Sequence, residues 1–246
     1  MLASLYISKT GLSAQDKQLA TISNNLANAS TVGYKRSRAV FEDLFYQTQR
    51  QPGAQSTQDT LLPSGLQLGT GTRVVATQKQ FTEGSMQVTG QSLDIAIDGK
   101  GFFQVLQPDG TTGYTRDGQF QISDQGEIVN SNGQIIQPAI TIPQGTQKIT
   151  IGLDGIVSAT IAGQVGTTNI GQMETVDFLN PSGLQSIGGN IFLQTAASGD
   201  PVAGTPGLDG LGSLKQGVLE NSNVDIVEEM VNMITTQRVY ELNSKV

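Results

Sequence analysis

The sequence predicts an α+β fold. Coiled-coil-type helices at the N- and C-termini pack together, and a central antiparallel β-rich domain, barrel- or sandwich-like, lies between them in the chain. All eight prolines of the 246 residues fall between Pro52 and Pro206. Of the 30 glycines, only Gly11 and Gly33 precede this stretch, and none follows Gly217. Because both residue types interrupt helices, the ends can form long helices while the middle is rich in turns.

The N-terminal segment carries a narrow apolar stripe. Its leucines recur every seven residues, and an isoleucine follows the third of them: Leu5, Leu12, Leu19, Ile22 and Leu26. A seven-residue repeat is typical of a coiled coil, whereas a helix on a globular domain usually has a wider apolar face. We therefore predict that this helix pairs with another helix. A helix that lies on the chain's own β domain is the alternative.

The C-terminal segment begins with residues that favour a helix start. Asp225 followed by Glu228 resembles a capping box, and Glu229 adds a second acid near the positive end of the helix. The apolar side chains that we expect to pack against the N-terminal helix, in the same chain or a neighbouring one, are Val227, Met230, Ile234 and Tyr240. No glycine or proline follows in the sequence, so we expect the natural helix to continue beyond Val246.

Residues 46–72 are polar and weakly periodic, and they predict an extended segment. The residues that we expect to set its turns are Pro52, Gly53, Pro63, Ser64 and Gly65. A disordered linker is the alternative reading of this composition.

From residue 73 onward, short alternating apolar runs are separated by Asp-Gly and Asn-Gly pairs, such as Asp109-Gly110 and Asn132-Gly133. These pairs suit the positive φ angles of tight hairpins and predict antiparallel strands. The expected organisation is a discontinuous helical core domain at 1–45 and 217–246, the extended segment at 46–72, and a β-rich outer domain at 73–216.

Composition excludes several classes of function. The chain contains no histidine and no cysteine, which removes imidazole and thiol catalysis and the usual zinc, haem and iron–sulfur ligand sets. A formal net charge of −7 gives no electrostatic basis for nucleic-acid binding. No apolar stretch approaches the roughly 20 residues of a membrane span, and the N-terminus lacks the pattern of a cleavable signal peptide. We expect no cofactor and no metal.

Carboxylates remain the main candidates for catalysis. Asp109, Asp117, Asp124 and Glu127 could supply an acid–base pair for glycoside hydrolysis, as in an enzyme that cleaves peptidoglycan. Each is also explained by a position in a turn. Sequence spacing alone does not establish the geometry of such a pair.

The segment "NNLANASTVGYKR" at 24–36 joins the N-terminal helix to a basic cluster of Lys35, Arg36 and Arg38. The cluster is either a solvated helix exit or a partner for acids such as Glu228 and Glu229. The asparagine amides near the helix end can bond to backbone or side chains of adjacent elements, in the same chain or the next one.

Several segments resemble one family, in chain order. "ISNNLANASTVGYKR" at 22–36 looks like the signature of the flagellar axial proteins, the rod and hook group. Residues 97–138 resemble their shared β-domain core, and residues 221–245 resemble their C-terminal helix. The positions of the N-terminal motif are Asn24, Asn25, Leu26, Asn28, Thr31, Gly33, Tyr34 and Lys35.

Residues 41–72 are similar to a stretch typical of the distal-rod type within this family. The resemblance implies a non-enzymatic structural subunit of the flagellar distal rod, which polymerises helically into a stiff hollow drive shaft and transmits torque from motor to hook. Another member of the group, from the proximal rod or the hook, is the alternative.

The same resemblance implies partners and a location. The partners would be further copies of the chain in a helical homopolymer, the proximal rod and hook proteins, the surrounding ring proteins that act as a bushing, and the flagellar type III export apparatus. The location would be the basal body, in the periplasmic rod, reached without a cleavable signal peptide.

Overall fold

The computed structural model describes residues 2–53, 55–57, 60–61, 63–163 and 166–245. The chain divides into two compact units. The helix–hairpin unit comprises residues 1–27, 37–79 and 225–246, and the β unit comprises residues 28–36 and 80–224. Two long terminal helices and a β-rich centre make the fold α+β, which confirms the predicted class at this level.

The helix–hairpin unit contains one long antiparallel hairpin between its two helices in the sequence. Its elements are α1 (Leu2–Ala27), β1 (Ser37–Asp43), β2 (Gln47–Arg50), β3 (Gln55–Thr57), β4 (Thr60–Leu61), β5 (Leu66–Leu68), β6 (Thr72–Lys79) and α2 (Ile226–Ser244). The strands pair in nested order, β1 with β6, β2 with β5 and β3 with β4. The described residues between 37 and 79 therefore form a single irregular hairpin.

The predicted extended segment 46–72 forms the outer half of this hairpin, although residues 54, 58, 59 and 62 lie outside the described part of the chain. Pro52 and Gly53 occupy a turn, and Pro63 and Ser64 a bend. Gly65 is required by a close approach, because a Cβ there would lie 2.5 Å from the carbonyl oxygen of Arg50.

Helix α1 contacts both α2 and the β1–β6 ribbon. Along its leucine repeat, Ile22 is buried, and Leu12, Leu19 and Leu26 are half-buried, whereas Leu5 is exposed. Gly11 permits a close approach of α2, since a Cβ at this position would lie 3.3 Å from Nδ2 of Asn243. The two helices pack together as expected, and coiled-coil geometry stays a prediction.

The predicted start of α2 is confirmed. Asp225 is the N-cap residue, and its Oδ1 accepts hydrogen bonds from the backbone N–H groups of Val227, at 2.9 Å, and Glu228, at 3.1 Å. These bonds satisfy two of the donors that a helix leaves open at its N-terminus.

The β unit is built from short antiparallel strands. They are β7 (Met86–Val88), β8 (Ile95–Asp98), β9 (Phe103–Leu106), β10 (Thr112–Thr115), β11 (Phe120–Ile122), β12 (Ile128–Asn130), β13 (Ile136–Gln137), β14 (Thr146–Ile151), β15 (Ile156–Ile161), β16 (Thr168–Gln172), β17 (Thr175–Asp177), β18 (Gln185–Gly188), β19 (Ile191–Leu193), β20 (Val202–Gly204), β21 (Ser213–Gln216) and β22 (Val218–Glu220). A single 3₁₀ turn in the described residues spans Pro181–Gly183.

The β unit contains a five-stranded sheet in the order β13-β9-β10-β19-β18 and a three-stranded sheet in the order β14-β15-β16. Its other strands form the pairs β11-β12, β17-β20, β21-β8 and β22-β7. Two apolar clusters form its core. The larger is mainly aliphatic and centres on residues such as Ile97, Ile128 and Leu214. The smaller is aromatic and includes Phe102 and Phe178, whose rings meet edge to face. Whether these sheets form a barrel or a sandwich stays a prediction.

Three of the Asp-Gly and Asn-Gly pairs lie in hairpin turns, namely Asp109-Gly110, Asn132-Gly133 and Asp154-Gly155. Asp98-Gly99 and Asp209-Gly210 do not, because the strands that flank each pair are not paired with each other. Gly110, between β9 and β10, has a φ of 83°, and Gly155, between β14 and β15, has a φ of 80°. Gly118 differs, since it is not among the positive-φ glycines and a Cβ there would overlap the carbonyl of Ile95.

Neither helix in the described residues is long and apolar enough to cross a lipid bilayer.

Candidate functional site

Asn25 ties three elements of the helix–hairpin unit together. It lies near the C-terminal end of α1 and is only 1% exposed. Its Nδ2 donates to the carbonyl oxygen of Ser37 at 2.8 Å, and its Oδ1 accepts from the N–H of Ser37 at 2.9 Å. The same Nδ2 lies 3.4 Å from Oε1 of Glu229, a buried residue of α2. We call this arrangement the Asn25 latch.

The latch explains why an amide occupies this helix position. A carboxamide supplies a donor and an acceptor together, and the two bonds to Ser37 copy the pairing that a neighbouring strand would offer to the first residue of β1. An aliphatic side chain would leave both backbone groups without this partner. Both of these partners of Asn25, Ser37 and Glu229, belong to the same chain.

The rest of the N-terminal motif lies in different surroundings. Asn24 is exposed. Asn28 belongs to the β unit, where its Oδ1 accepts from the hydroxyl of Thr31 at 3.2 Å and its carbonyl oxygen accepts from the N–H of Thr31. Tyr34 is buried, and its N–H donates to the carbonyl of Thr31. This part of the motif shapes the turn that leads to Lys35.

Lys35 and Glu220 form a buried ion pair inside the β unit. Nζ of Lys35 lies 2.6 Å from Oε1 of Glu220, and each residue is 1% exposed. Nη1 of Arg116, also buried, lies 3.2 Å from the other carboxylate oxygen, Oε2. Glu220 thus holds two cations, and the N–H of Gly84 also donates to its Oε1 at 2.9 Å. We call these three charged side chains the Glu220 network.

Backbone carbonyls complete the network. Nζ of Lys35 donates to the carbonyl of Thr82 at 2.7 Å. Nη2 of Arg116 donates to the carbonyl of Gly99 at 2.7 Å, and its guanidinium lies over the ring of Phe102, 5.5 Å from the centroid. Burial lowers the pKa of Lys35, and the carboxylate of Glu220 opposes that shift because it favours the charged form.

Gly33 joins the motif to the network through its backbone. Its N–H donates to the carbonyl oxygen of Glu220 at 2.8 Å. Its φ is 68°, and a Cβ at this position would lie 2.7 Å from the backbone of Arg116. Only glycine combines this left-handed conformation with such a close approach.

Sequence reasoning found Lys35 and Gly33 but missed Glu220 and Arg116. The expectation of a solvated helix exit is wrong for Lys35, which is buried, and its carboxylate partner at 2.6 Å is Glu220. No spacing rule relates residues 35, 116 and 220, so the sequence carries no local signal for this contact.

Helix α2 has a polar inner face and an apolar outer face. Glu229 and Thr236 are buried, and Asn243 approaches Gly11 of α1. The outer face carries apolar side chains at i, i+3, i+4 and i+7 that are 49–71% exposed: Val227, Met230, Val231 and Ile234. We call this set the α2 stripe. Within one chain, α1 does not bury Val227, Met230 or Ile234, and Tyr240 is 43% exposed. The predicted packing of these side chains against α1, of the same chain or a neighbouring one, stays a prediction.

Two of the four candidate catalytic carboxylates, Asp109 and Asp117, accept hydrogen bonds within their own turns. Oδ1 of Asp109 accepts from the N–H and hydroxyl of Thr111, at 2.9 and 2.6 Å, and these bonds lower its pKa. Oδ1 of Asp117 accepts from the N–H of Gln119 at 3.0 Å, while burial raises its pKa. Both act as turn-forming side chains. Among the described residues, no group of three or more acidic side chains is arranged to hold a metal ion.

Family models match three parts of the chain. "Flagella basal body rod protein" matches residues 5–35, "Flagellar hook protein FlgE/F/G D1 domain" matches 96–159, and "Flagellar basal body rod FlgEFG protein C-terminal" matches 215–246.

Relatives match over the full chain. A flagellar basal-body rod protein FlgG from Buchnera aphidicola subsp. Schizaphis graminum is 56% identical over 100% of this chain and 94% of its own length. The chain belongs to the flagellar basal-body rod protein family. Rod proteins of the same name from Borreliella burgdorferi and Bacillus subtilis are 48% and 38% identical, over the whole chain and 93% and 94% of their own lengths.

Membership of the rod protein family confirms the predicted class, a structural subunit of the flagellar basal body. The Glu220 network connects the three matched regions of the rod protein. Lys35, Arg116 and Glu220 each fall in a different one of them. The Asn25 latch likewise joins a residue of the N-terminal match to Glu229 in the C-terminal match. The segments that define the family are therefore held to one another by buried polar contacts.

Glu220→Gln should destabilise the β unit strongly. The substitution removes the only carboxylate charge of the network and leaves Lys35 and Arg116 buried, so we expect a loss of about 3–5 kcal/mol in the free energy of unfolding. Asp98→Asn is the matched control, because Asp98 pairs with Lys215 in a half-exposed salt bridge and should cost below about 1 kcal/mol. Urea unfolding measures both variants, and equal losses would contradict a special role for Glu220.

Asn25→Ala should weaken the helix–hairpin unit. The substitution removes both bonds to Ser37, and we expect a loss of about 1–3 kcal/mol even though alanine favours the helix more than asparagine does. Ser23→Ala is the control, since Ser23 is exposed on the same helix. Chemical denaturation followed by the helical circular dichroism signal compares them. A loss no larger for Asn25→Ala than for Ser23→Ala would refute the latch.

Proposed function

We propose that the chain is a subunit of the distal rod of the bacterial flagellum. Copies polymerise helically into a stiff hollow drive shaft that transmits torque from motor to hook. The observation that carries this proposal is the α2 stripe in a chain that matches rod proteins over its full length. Contiguous exposed apolar side chains on a helix are typical of a surface that another protein covers.

The energetics of the stripe favour assembly. Full burial of one large aliphatic side chain contributes roughly 1.5–3 kcal/mol, so the four residues of the stripe offer several kilocalories per mole to a polymer contact. The intrachain contact between α1 and α2 uses small and polar residues instead, including Gly11, Asn25 and Glu229. Helix α2 therefore depends on neighbouring copies to bury its apolar stripe.

The distribution of charge between the two units supports the same helical polymer. The helix–hairpin unit carries eight basic and eight acidic residues, whereas the β unit carries six basic and thirteen acidic ones. The whole net charge of −7 thus belongs to the β unit. Copies of a neutral helix–hairpin unit can pack closely without net repulsion, and we assign them to the inner tube, with the charged β units in the outer layer.

The long hairpin is our candidate for the element that stiffens the shaft. Its outer half carries exposed apolar side chains, including Tyr46, Leu66 and Leu68, and Phe45 just before β2 is 94% exposed. These side chains provide contacts that resist sliding between neighbouring subunits. The proximal rod, the hook, the bushing rings and the type III export apparatus are the further partners that this proposal implies.

Assembly of the purified chain tests the proposal. At rising concentration, sedimentation and electron microscopy should detect straight hollow filaments, and Ile234→Asp and Val227→Asp should abolish them because each places a charge in the α2 stripe. Leu153→Asp is the control, since Leu153 is an exposed residue of the β unit. The absence of polymer from the unaltered chain, or polymer from the stripe variants at the control level, would overturn the proposal.

Shortening the hairpin should make the filament flexible without preventing its assembly. Gln47 and Leu68 are paired across β2 and β5, so residues 48–67 can be replaced by an Asn-Gly turn with little change in the inner half. We expect the persistence length of filaments in electron micrographs to fall severalfold. A Gly/Ser loop of the original length in the same place controls for bulk, and an unchanged straight filament would count against a stiffening role.

A further inference from the structure

Four turns in the described part of the β unit are three-residue loops of one type. In each of them, the N–H of the glycine at the third position donates to the carbonyl oxygen three residues earlier, and the glycine has a φ between 79° and 84°. These loops occupy residues 108–110, 124–126, 131–133 and 153–155. A turn that ends in a left-handed glycine is a common connection between antiparallel strands.

The loop at 131–133 contains the only Asn-Gly pair of the sequence, Asn132-Gly133. We call it the Asn132 loop. Because glycine has no side chain to shield its backbone nitrogen, that nitrogen can attack Cγ of the preceding asparagine. A bond forms between the nitrogen and Cγ, the bond from Cγ to Nδ2 breaks, and Nδ2 leaves as ammonia with the proton that the glycine nitrogen loses. Water then opens the resulting succinimide ring to give either aspartate or isoaspartate.

Hydrogen bonds hold the backbone on both sides of the nitrogen of Gly133. Its own N–H donates to the carbonyl oxygen of Asn130 at 2.9 Å. Oδ1 of Asn130, a residue that is 8% exposed, accepts from the N–H of Asn132 at 3.0 Å and from the N–H of Gln134 at 2.9 Å. Attack on Cγ therefore requires the loop to open first.

A chain of amides anchors Asn130 to a neighbouring loop. Nδ2 of Asn130 donates to Oε1 of Gln134 at 2.7 Å, and Nε2 of Gln134 donates to Oε1 of Gln107 at 2.8 Å. Gln107 directly precedes the loop at 108–110, and its N–H donates to the carbonyl of Thr111 at 2.8 Å. Opening of the Asn132 loop thus also breaks contacts with this second loop, which makes the open state rarer.

The side chain of Asn132 is exposed, and among the described residues its carboxamide makes no hydrogen bond. The aspartates at the same position of two sister loops differ. Asp109 accepts from the N–H of Thr111 at 2.9 Å, and Asp154 accepts from the N–H of Ile156 at 3.2 Å. The bonds from Thr111 lower the pKa of Asp109, so its side chain stays a carboxylate, which resists attack by a nitrogen nucleophile. Asn132 combines a free, neutral carboxamide with a following glycine.

We infer that Asn132 is a site of spontaneous deamidation, which the folded loop protects and the unfolded chain exposes. An aspartate product fits the loop, since Asp109-Gly110 and Asp154-Gly155 form loops of the same type. An isoaspartate product does not, because it adds a methylene group to the main chain of a three-residue connection. Strands β12 and β13 on either side place Ile128 and Ile136 in the larger apolar cluster. A chain that remains unfolded for long therefore loses the ability to complete its β unit.

Incubation of the full chain, folded in buffer or unfolded in guanidinium chloride at the same pH, tests the inference. Mass spectrometry of the fragment that contains Asn132 measures deamidation, and enzymatic methylation of isoaspartate identifies that product. We expect deamidation in the folded chain to be slower by roughly tenfold or more, because it proceeds only from opened loops. A peptide of residues 128–136 in both solutions corrects for the effect of the denaturant on the chemistry. Equal corrected rates would overturn the inference.

Asn130→Ala tests the source of the protection. It removes the acceptor of two loop N–H groups, so deamidation of Asn132 in the folded variant should be severalfold faster than in the unaltered chain, with no change in guanidinium chloride. Ser131→Ala is the matched control, since Ser131 is an exposed residue of the same loop. Folded Asn130→Ala with the rate of Ser131→Ala would refute the assigned protection. The comparison of the folded and unfolded unaltered chain decides the inference whether or not this variant folds.

Refolding separates the two products. Chains aged in guanidinium chloride are diluted into buffer, and the folded fraction is isolated by its resistance to protease. This fraction should be severalfold depleted of isoaspartate at position 132 relative to the aged sample, whereas aspartate should be retained, and Asn132→Asp should unfold at the same midpoint as the unaltered chain. Isoaspartate in undiminished proportion in the folded fraction would contradict the inferred loss of folding. None of these measurements requires a polymer, so their outcome is independent of the proposed function.

Discussion

The carboxylate of Glu220 carries the interaction on which the β unit depends. Two cations, Lys35 and Arg116, are buried beside it, with side chains that are 0% and 3% exposed to water. A buried ion pair adds little net stability relative to an apolar replacement, but the loss of one partner is costly because it leaves charge unpaired. The network therefore specifies one arrangement of three distant segments, and Gly33 adds a backbone bond to the same residue.

The helix–hairpin unit follows a different design. Its internal contacts include the polar bonds of Asn25 to Ser37 and Glu229 as well as the buried Ile22 of α1, while the apolar stripe of α2 is exposed. Polar contacts fix the register and orientation of the helices but contribute little free energy of burial. The side chains of the exposed stripe would contribute such free energy only when another molecule covers them. In the proposed polymer, burial of the stripe would add to the stability of this unit.

The sequence predicted elements whose signals are local. The distribution of proline and glycine located both helices, Asp225 located the start of α2, and Asp-Gly pairs such as Asp109-Gly110 located turns. It did not predict that the hairpin extends over 37–79, because Gln- and Thr-rich strands lack a clear alternation of apolar residues. It also missed the burial of Lys35, because the partner lies 185 residues away.

The spacing of the Glu220 network along the chain has a consequence for how the protein folds. Residues 35, 116 and 220 must all be present before the network closes, whichever end of the chain is delivered first. Contacts of such long sequence separation form late and slowly. A chain that passed through a narrow channel could not complete its β unit inside that channel. Folding of the unit would wait until nearly the whole polypeptide had emerged on the far side.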